Sequence, residues 1–347
     1  MLLIGGYTES IEGIASSKAR GISAYDFSHA EGRIQFLGFT PAVNPSYLIT
    51  DQKRGIVYAV RELQDERSGL TAHRVNRNKS GKVYFELLSD IDLTGVGPCH
   101  LSFAESTILV SCYNSGQVQV VGLDEDGSLT EVLQTVTFTP SAPDKQPHAH
   151  CTVYLPEREA VLVCDKGEDK LRVLSIAEDG SLTERPELEL SFPEGEGPRH
   201  IALHPDGQLA VVNGENIGHV HLIDLSGDKP LRATMVNALP ERVIDEAAGA
   251  AIKLSANGKM IYTSDRTFSV VTALRIDERA KSLIVRDTFP SGGESPRDVS
   301  LSPKGEWLLT ANTADHTIGV FRVGPRGELT HYHTFKKVPS PSCLAWL

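Results

Sequence analysis

Gly197-Pro198-Arg199-His200-Ile201-Ala202-Leu203-His204-Pro205-Asp206-Gly207, followed by Leu209-Ala210-Val211-Val212-Asn213, reads as a strand, a tight turn and a second, more apolar strand. Nearly the same order recurs in Ser295-Pro296-Arg297-Asp298-Val299-Ser300-Leu301-Ser302-Pro303-Lys304-Gly305 before Trp307-Leu308-Leu309-Thr310. Weaker copies start at Pro45, Pro98 and Pro147, another has Gly249 in the proline's place, and a truncated one begins at Pro341. These seven anchors are 53, 49, 51, 51, 47 and 45 residues apart, which is the period of a four-stranded propeller blade. The residues left over at the two termini together supply one more period. The repeat is therefore circular and predicts an all-β fold, a single seven-bladed β-propeller domain over residues 1–347 with four-stranded antiparallel blades. Ser342–Leu347 should be the innermost strand of a blade whose other strands are Leu2–Gly6, Gly21–Phe27 and Arg33–Thr40, so that the two chain ends pair and close the ring.

Within the repeats, Asp126-Gly127-Ser128-Leu129-Thr130-Glu131 and Asp179-Gly180-Ser181-Leu182-Thr183-Glu184 are near-identical hairpin turns between third and fourth strands. Only Pro240–Ala248 suggests a short helix. Composition agrees with a folded chain: 40% of its 347 residues are hydrophobic and 23% charged, and a mean hydropathy of -0.17 fits neither a disordered nor an integral membrane protein. Thirty-four Lys and Arg against 45 Asp and Glu leave a net charge of -11, so nucleic acid and anionic membrane are not expected partners. Met1–Tyr7 offers no basic segment and only a short apolar run, so a cytoplasmic location is expected. Five cysteines without a C-x-x-C pair read as reduced, buried thiols rather than disulfides or a zinc site.

The topology puts the starts of innermost strands and the second-to-third-strand loops at one end of the ring. All the long connections, Thr8–Arg20, Thr139–Gln146 and Asn237–Gly249, fall at that end, which marks it as the binding face. His148, His150, Arg199, His200 and Arg297 come there from strand starts, and Glu215, Asn216, Asp265 and Arg266 from loops. Arg199, Arg266 and Arg297 converging in an acidic chain point to a small anionic ligand, because guanidinium groups match carboxylate and phosphate geometry. The alternative is that each arginine pairs with an acid such as Asp265 or Asp298 and ties blades together. His148 and His150 lie two apart and should face the same side. Without a third ligand at a recognised spacing, a base or substrate-binding role fits them better than a metal, and no metal is expected. Glu215 is the best carboxylate for proton transfer; otherwise it is a solvated loop acid. His150, His200, Arg297, Asn216 and Asp265 are expected to bind substrate. There is no G-x-S-x-G elbow, phosphate loop or dinucleotide fingerprint, so no cofactor is expected.

Gln-Pro-His-Ala-His (146–150), Gly-Pro-Arg-His with His-Pro-Asp-Gly (197–207), Tyr-Thr-Ser-Asp-Arg (262–266), Ser-Pro-Arg-Asp with Ser-Pro-Lys-Gly (295–305) and the N-terminal Gly-Gly-Tyr-Thr together resemble the seven-bladed propeller lactonase family. Its branches include bacterial 6-phosphogluconolactonases and carboxy-cis,cis-muconate cyclases, and Tyr113-Asn114-Ser115-Gly116 and Asp265-Arg266-Thr267 look closer to the first. The resemblance implies catalytic roles for His148, Arg199, Glu215 and Arg266. It also implies a small anionic lactone as substrate, 6-phospho-D-glucono-1,5-lactone of the pentose phosphate pathway, and a monomer or weak homo-oligomer. A carboxy-muconate cycloisomerase or a non-catalytic binding scaffold are the alternatives. Two positions depart from the family pattern: Gly214, a small residue before Glu215-Asn216, and Lys253, where histidine is often seen.

Overall fold

The second strand of each repeat is the most apolar because both of its faces are covered. In Leu209–Gly214, Leu209 and Val211 pack toward Ile252 and Ile261 of the following repeat. Ala210 and Val212 pack toward Leu162 and Cys164 of the preceding one. A computed structural model, describing residues 1–14, 16–240 and 246–347, repeats this pattern around a ring of seven sheets. Among the described residues there are seven apolar clusters, one at each junction between neighbouring blades. Full burial of each Leu, Val or Ile there contributes about 1.5–3 kcal/mol. Fourth strands such as Arg33–Pro41 and Leu329–Lys336 form the outer rim and are largely exposed.

Numbered around the ring, blade 1 joins Pro341–Trp346 to Leu2–Gly6, Gly21–Ser28 and Arg33–Pro41. Blades 2 to 7 have innermost strands beginning at Leu48, Pro98, Ala149, Pro198, Gly249 and Pro296. The expected seven-bladed, end-to-end closed propeller is what the structure contains. Glycines supply the left-handed backbone of the expected hairpins, with φ of 86° at Gly127 and 80° at Gly180. Blade 4 departs from the regular pattern: its outer strand is split into Leu182–Glu184 and Leu190–Ser191 by a 3-10 turn at Pro186–Leu188, where the proline has no N–H for the ladder. The short helix expected at Pro240–Ala248 falls mostly on residues outside the described set. Among the described residues no helix is long and apolar enough to cross a membrane.

Two details of the innermost strands decide where the chemistry goes. Their pairing slips near the start of six strands, at Cys99, His150, Arg199, Ala250–Ala251, Arg297 and Ser342. Such a bulge leaves the extra residue out of the ladder and re-aims its side chain. The blade 4 repeat is also anchored at Ala149 and not at Pro147, because Ala149 is the residue that pairs with Asp165 as Pro98 pairs with Cys112 and Pro198 with Gly214. His148 and His150 therefore do not alternate along one strand as expected. His148 precedes the strand, and His150 is its bulged residue.

The ring is closed by Leu2–Trp346, Leu3–Ala345 and Ile4–Leu344 pairs and by the terminal ammonium of Met1, which donates to the Leu347 carbonyl at 2.6 Å. Deleting Pro341–Leu347 would expose the apolar faces of blades 1, 2 and 7. The truncated protein is expected to lose its cooperative thermal transition in calorimetry; a midpoint within about 2 °C of the parent, the effect of roughly 1 kcal/mol in a chain of this length, would show that closure contributes little.

Candidate active site

The bulged residues form a ring around the axis. Ser46, Cys99, His150, Arg199, Arg297 and Ser342 occupy one layer, with Tyr47, His200 and Asp298 next to them and Tyr7 and Glu62 closing the side. The gap they enclose is about 20 Å³, the size of a single water, so a sugar-sized molecule has to rest above it at the mouth. Burial lowers the basicity of His100, His150 and His200, with His100 at about 3, so these imidazoles are neutral. Burial pushes the Cys99 thiol well above its ordinary value, which removes it as a nucleophile. Glu62 accepts hydrogen bonds from Tyr7 Oη at 3.0 Å and from Ser46.

Above this floor, Glu215 is the hub. One of its oxygens accepts from Arg199 Nε at 2.9 Å, and the other from Arg266 Nη2 at 2.8 Å and Lys166 Nζ at 3.0 Å. Burial works to raise its pKa, but the three cations outweigh it and hold the carboxyl well below its ordinary value of 4.5. Arg199 is itself buried, which lowers its pKa to about 10 and leaves it charged, and it also donates to the Ala250 carbonyl at 2.6 Å. Arg266 donates to the Ala248 carbonyl at 3.2 Å. Arg297 lies 5.2 Å from the centre of the Tyr7 ring and, among the described residues, makes no ion pair within 4 Å.

The arginines thus pair neither with Asp265 nor with Asp298, as the structural alternative supposed, but two of them share Glu215. That residue is not a solvated acid either. With both oxygens held by cations it binds protons too weakly to serve as a base near neutral pH. Asp265 is a correction to the expected substrate-binding set: its oxygens accept backbone N–H groups of Ala248 and Phe268 at 2.8 and 2.9 Å and shape the loop that carries Arg266. Asn216 is exposed and donates to the Gly195 carbonyl at 3.1 Å, holding a neighbouring loop.

His148 stacks on Tyr113, ring centres 4.3 Å apart and nearly parallel, and its Nδ1 is 2.9 Å from the Tyr113 carbonyl. A carbonyl only accepts, so Nδ1 carries the proton and Nε2 the free lone pair. Lys166 links the two groups, its Nζ lying 3.4 Å from Tyr113 Oη and 3.0 Å from Glu215. Of the expected residues, Glu215 and Arg266 meet above the floor, and His148 is joined to them through Tyr113 and Lys166; Arg199 reaches up to Glu215 from the floor layer that also holds His150, His200 and Arg297. Lys166 joins the cluster from the second-to-third-strand loop of blade 4, and no motif in the sequence singles it out. Ser46, Cys99 and Ser342 also went unnoticed, although reading the second position of every innermost strand as one column finds them.

Glu215→Gln leaves the buried Arg199 and the partly buried Lys166 and Arg266 without their counter-charge, and is expected to lower stability to urea by about 3 kcal/mol at neutral pH. Because folding lowers the Glu215 pKa, its contribution is present above pH 4.5 and fades as pH falls further. The gap between parent and variant should therefore narrow in acid; a gap that stays constant would locate the effect elsewhere.

Comparisons with known proteins identify the family of the chain. The family model described as Lactonase, 7-bladed beta-propeller, matches residues 1–346. A 6-phosphogluconolactonase of Bacillus subtilis is 30% identical over 312 residues, covering 88% of this chain and 87% of its own length. A 6-phosphogluconolactonase of Formosa agariphila is 25% identical over 335 residues, 92% of each chain. Among solved structures, the periplasmic gluconolactonase of Pseudomonas aeruginosa superposes with a TM-score of 0.89 at 25% identity, covering 99% of this chain and 97% of that one. The chain belongs to the seven-bladed β-propeller lactonase family.

Proposed function

We propose that the channel mouth binds and hydrolyses an anionic sugar lactone, and that its substrate is 6-phospho-D-glucono-1,5-lactone, opened to 6-phosphogluconate. The observation that carries this reading is the charge of the site: Lys166, Arg199, Lys253, Arg266 and Arg297 against Glu62, Glu215 and Asp298, a cationic centre in a chain of net charge -11. It gives a lactone carbonyl oxygen and a phosphate something to bind that the rest of the surface repels. The names of the Bacillus subtilis and Formosa agariphila relatives support the phosphorylated substrate.

In this reading Glu215 is a positioning residue that sets the directions of Arg199, Arg266 and Lys166. His148 is the base: its Nε2 takes a proton from a water whose oxygen attacks the lactone carbonyl. Arg199 and Arg266 stabilise the oxyanion that forms, and collapse of the tetrahedral intermediate breaks the ring C–O bond. The proton held on Nε2 passes to the departing ring oxygen, which becomes the free hydroxyl of the product. Arg297, with no carboxylate partner, is the group available to a phosphate near the floor.

Purified protein should open the phosphorylated lactone far above its spontaneous rate, followed as acid release, and at least about tenfold more efficiently than glucono-1,5-lactone, a preference worth about 1.4 kcal/mol. Equal efficiency on the two would refute the phosphate assignment, and no acceleration of either would refute the reading. Replacing His148 by Gln is expected to lower kcat by about 10²–10⁴ with little change in KM. Arg266→Ala should cost about 10²–10³ in kcat/KM while the protein still melts cooperatively. If activity is lost only together with folding, Arg266 ties blades and does not stabilise the reaction.

A further inference from the structure

Glu196, His219 and His221 form a second cluster of ligating side chains, which the reaction proposed above does not use. His219 and His221 lie two apart on the third strand of blade 5, His219–Asp224, and so stand on one face of the sheet. Glu196 reaches them from the link between blades 4 and 5. Its Oε2 is 2.8 Å from Nδ1 of His219, and its Oε1 is 3.2 Å from Nε2 of His221. The candidate ligand atoms of all three residues lie within 4.8 Å of one another. An ion at zinc-to-nitrogen and zinc-to-oxygen distances of about 2.0–2.2 Å would meet all three after side-chain shifts of about 1 Å or less.

Two observations distinguish this cluster from an ordinary buried Glu–His contact. Glu196 and His221 are fully buried; Oε1 of the glutamate and Nε2 of the histidine face each other at 3.2 Å without hydrogen-bonding geometry, and among the described residues Nδ1 of the histidine has no partner. An ion bound between Oε1 and Nε2 gives both atoms a partner in place of that poorly aligned contact. The second observation is Gly214, where a Cβ would lie 1.9 Å from Glu196 Oε1. A side chain at 214 would displace the carboxylate, so the glycine in Val212-Asn213-Gly214-Glu215-Asn216 is what lets Glu196 sit here. Phe192 packs edge-on against the His221 ring at 4.8 Å and seals the inner side, while His219 is partly exposed and offers an ion its way in.

We propose that Glu196, His219 and His221 bind a divalent first-row transition-metal ion, with Zn²⁺ the ion best suited to two imidazoles and a carboxylate. Bound there, it clamps the link that leads into blade 5. The Glu196 carbonyl accepts the Asn216 N–H at 3.3 Å and the Gly197 carbonyl accepts the Glu215 N–H at 2.8 Å. Arg199 follows two residues after Gly197, so the ion steadies the backbone under both partners of the Arg199–Glu215 pair.

The test uses the whole protein, stripped with a chelator, dialysed, and titrated with ZnCl₂ against a colorimetric zinc indicator. One equivalent of Zn²⁺ is expected to bind and to raise the melting temperature. His219→Gln and Glu196→Gln should each weaken binding by at least about 100-fold, the upper end of what losing a residue behind a ligand costs. X-ray absorption at the zinc edge of the unmodified protein should show two imidazole ligands, a reading that holds even if a variant fails to fold. Absence of stoichiometric binding, binding that survives both substitutions, or an edge spectrum with fewer than two imidazoles overturns the assignment.

Discussion

A propeller blade buries both faces of its inner strands, so no blade is complete without a neighbour on each side, and ring closure is the condition on which every other feature here rests. The apolar clusters occur one per blade junction, and the two that flank blade 1 draw on both ends of the chain: Leu2, Leu3 and Ile4 beside Cys343, Leu344 and Ala345. Backbone pairing from Leu2 to Trp346 is thus the last contact of the ring and also what brings Ser342 to the axis. Failure of closure would leave two sheet faces in water and an incomplete channel.

Closure also imposes the chemistry's location. Innermost strands converge on the axis, where space is scarce, and the bulges at their starts turn one side chain per strand toward it. What those positions carry is a matter of sequence: thiol, imidazole, guanidinium and hydroxyl at Cys99, His150, Arg199 and Ser342. Two further cations, Lys166 and Arg266, are supplied from the second-to-third-strand loops above. Glu215 lets Arg199, Arg266 and Lys166 share a small volume that mutual repulsion would otherwise forbid. The same contacts that hold the cluster together keep the Glu215 carboxyl well below its ordinary pKa, while beside it the half-buried imidazole of His148 has its tautomer set by the Tyr113 carbonyl.

Much of this was legible in the chain. Equal spacing of Pro98, Pro198 and Pro296 and the leftover period shared by the termini led directly to seven blades and to the pairing of their ends. Of the residues expected to act together, Arg199 and Arg266 share Glu215, and His148 reaches that group only through Tyr113 and Lys166. The errors share a cause. Period-two alternation put His148 and His150 on one face, but a bulge at His150 interrupts the alternation, and bulges leave no mark in composition. Asp265 looked like a ligand because it adjoins Arg266, whereas its oxygens are used by the backbone of its own loop.

By itself the sequence determined the architecture, since periodicity and the order of polar and apolar residues are properties of the chain alone. Pairings between side chains far apart in it were decided only by the tertiary structure. Lys166 and Arg266 are a hundred residues apart and meet on one carboxylate; Glu196 and His219 meet around a space that Gly214 keeps open. The physical reason is that such contacts depend on how far each blade rotates against the next and on where each strand slips its register. Those quantities are set by the packing of seven junctions at once, not by any local stretch of residues.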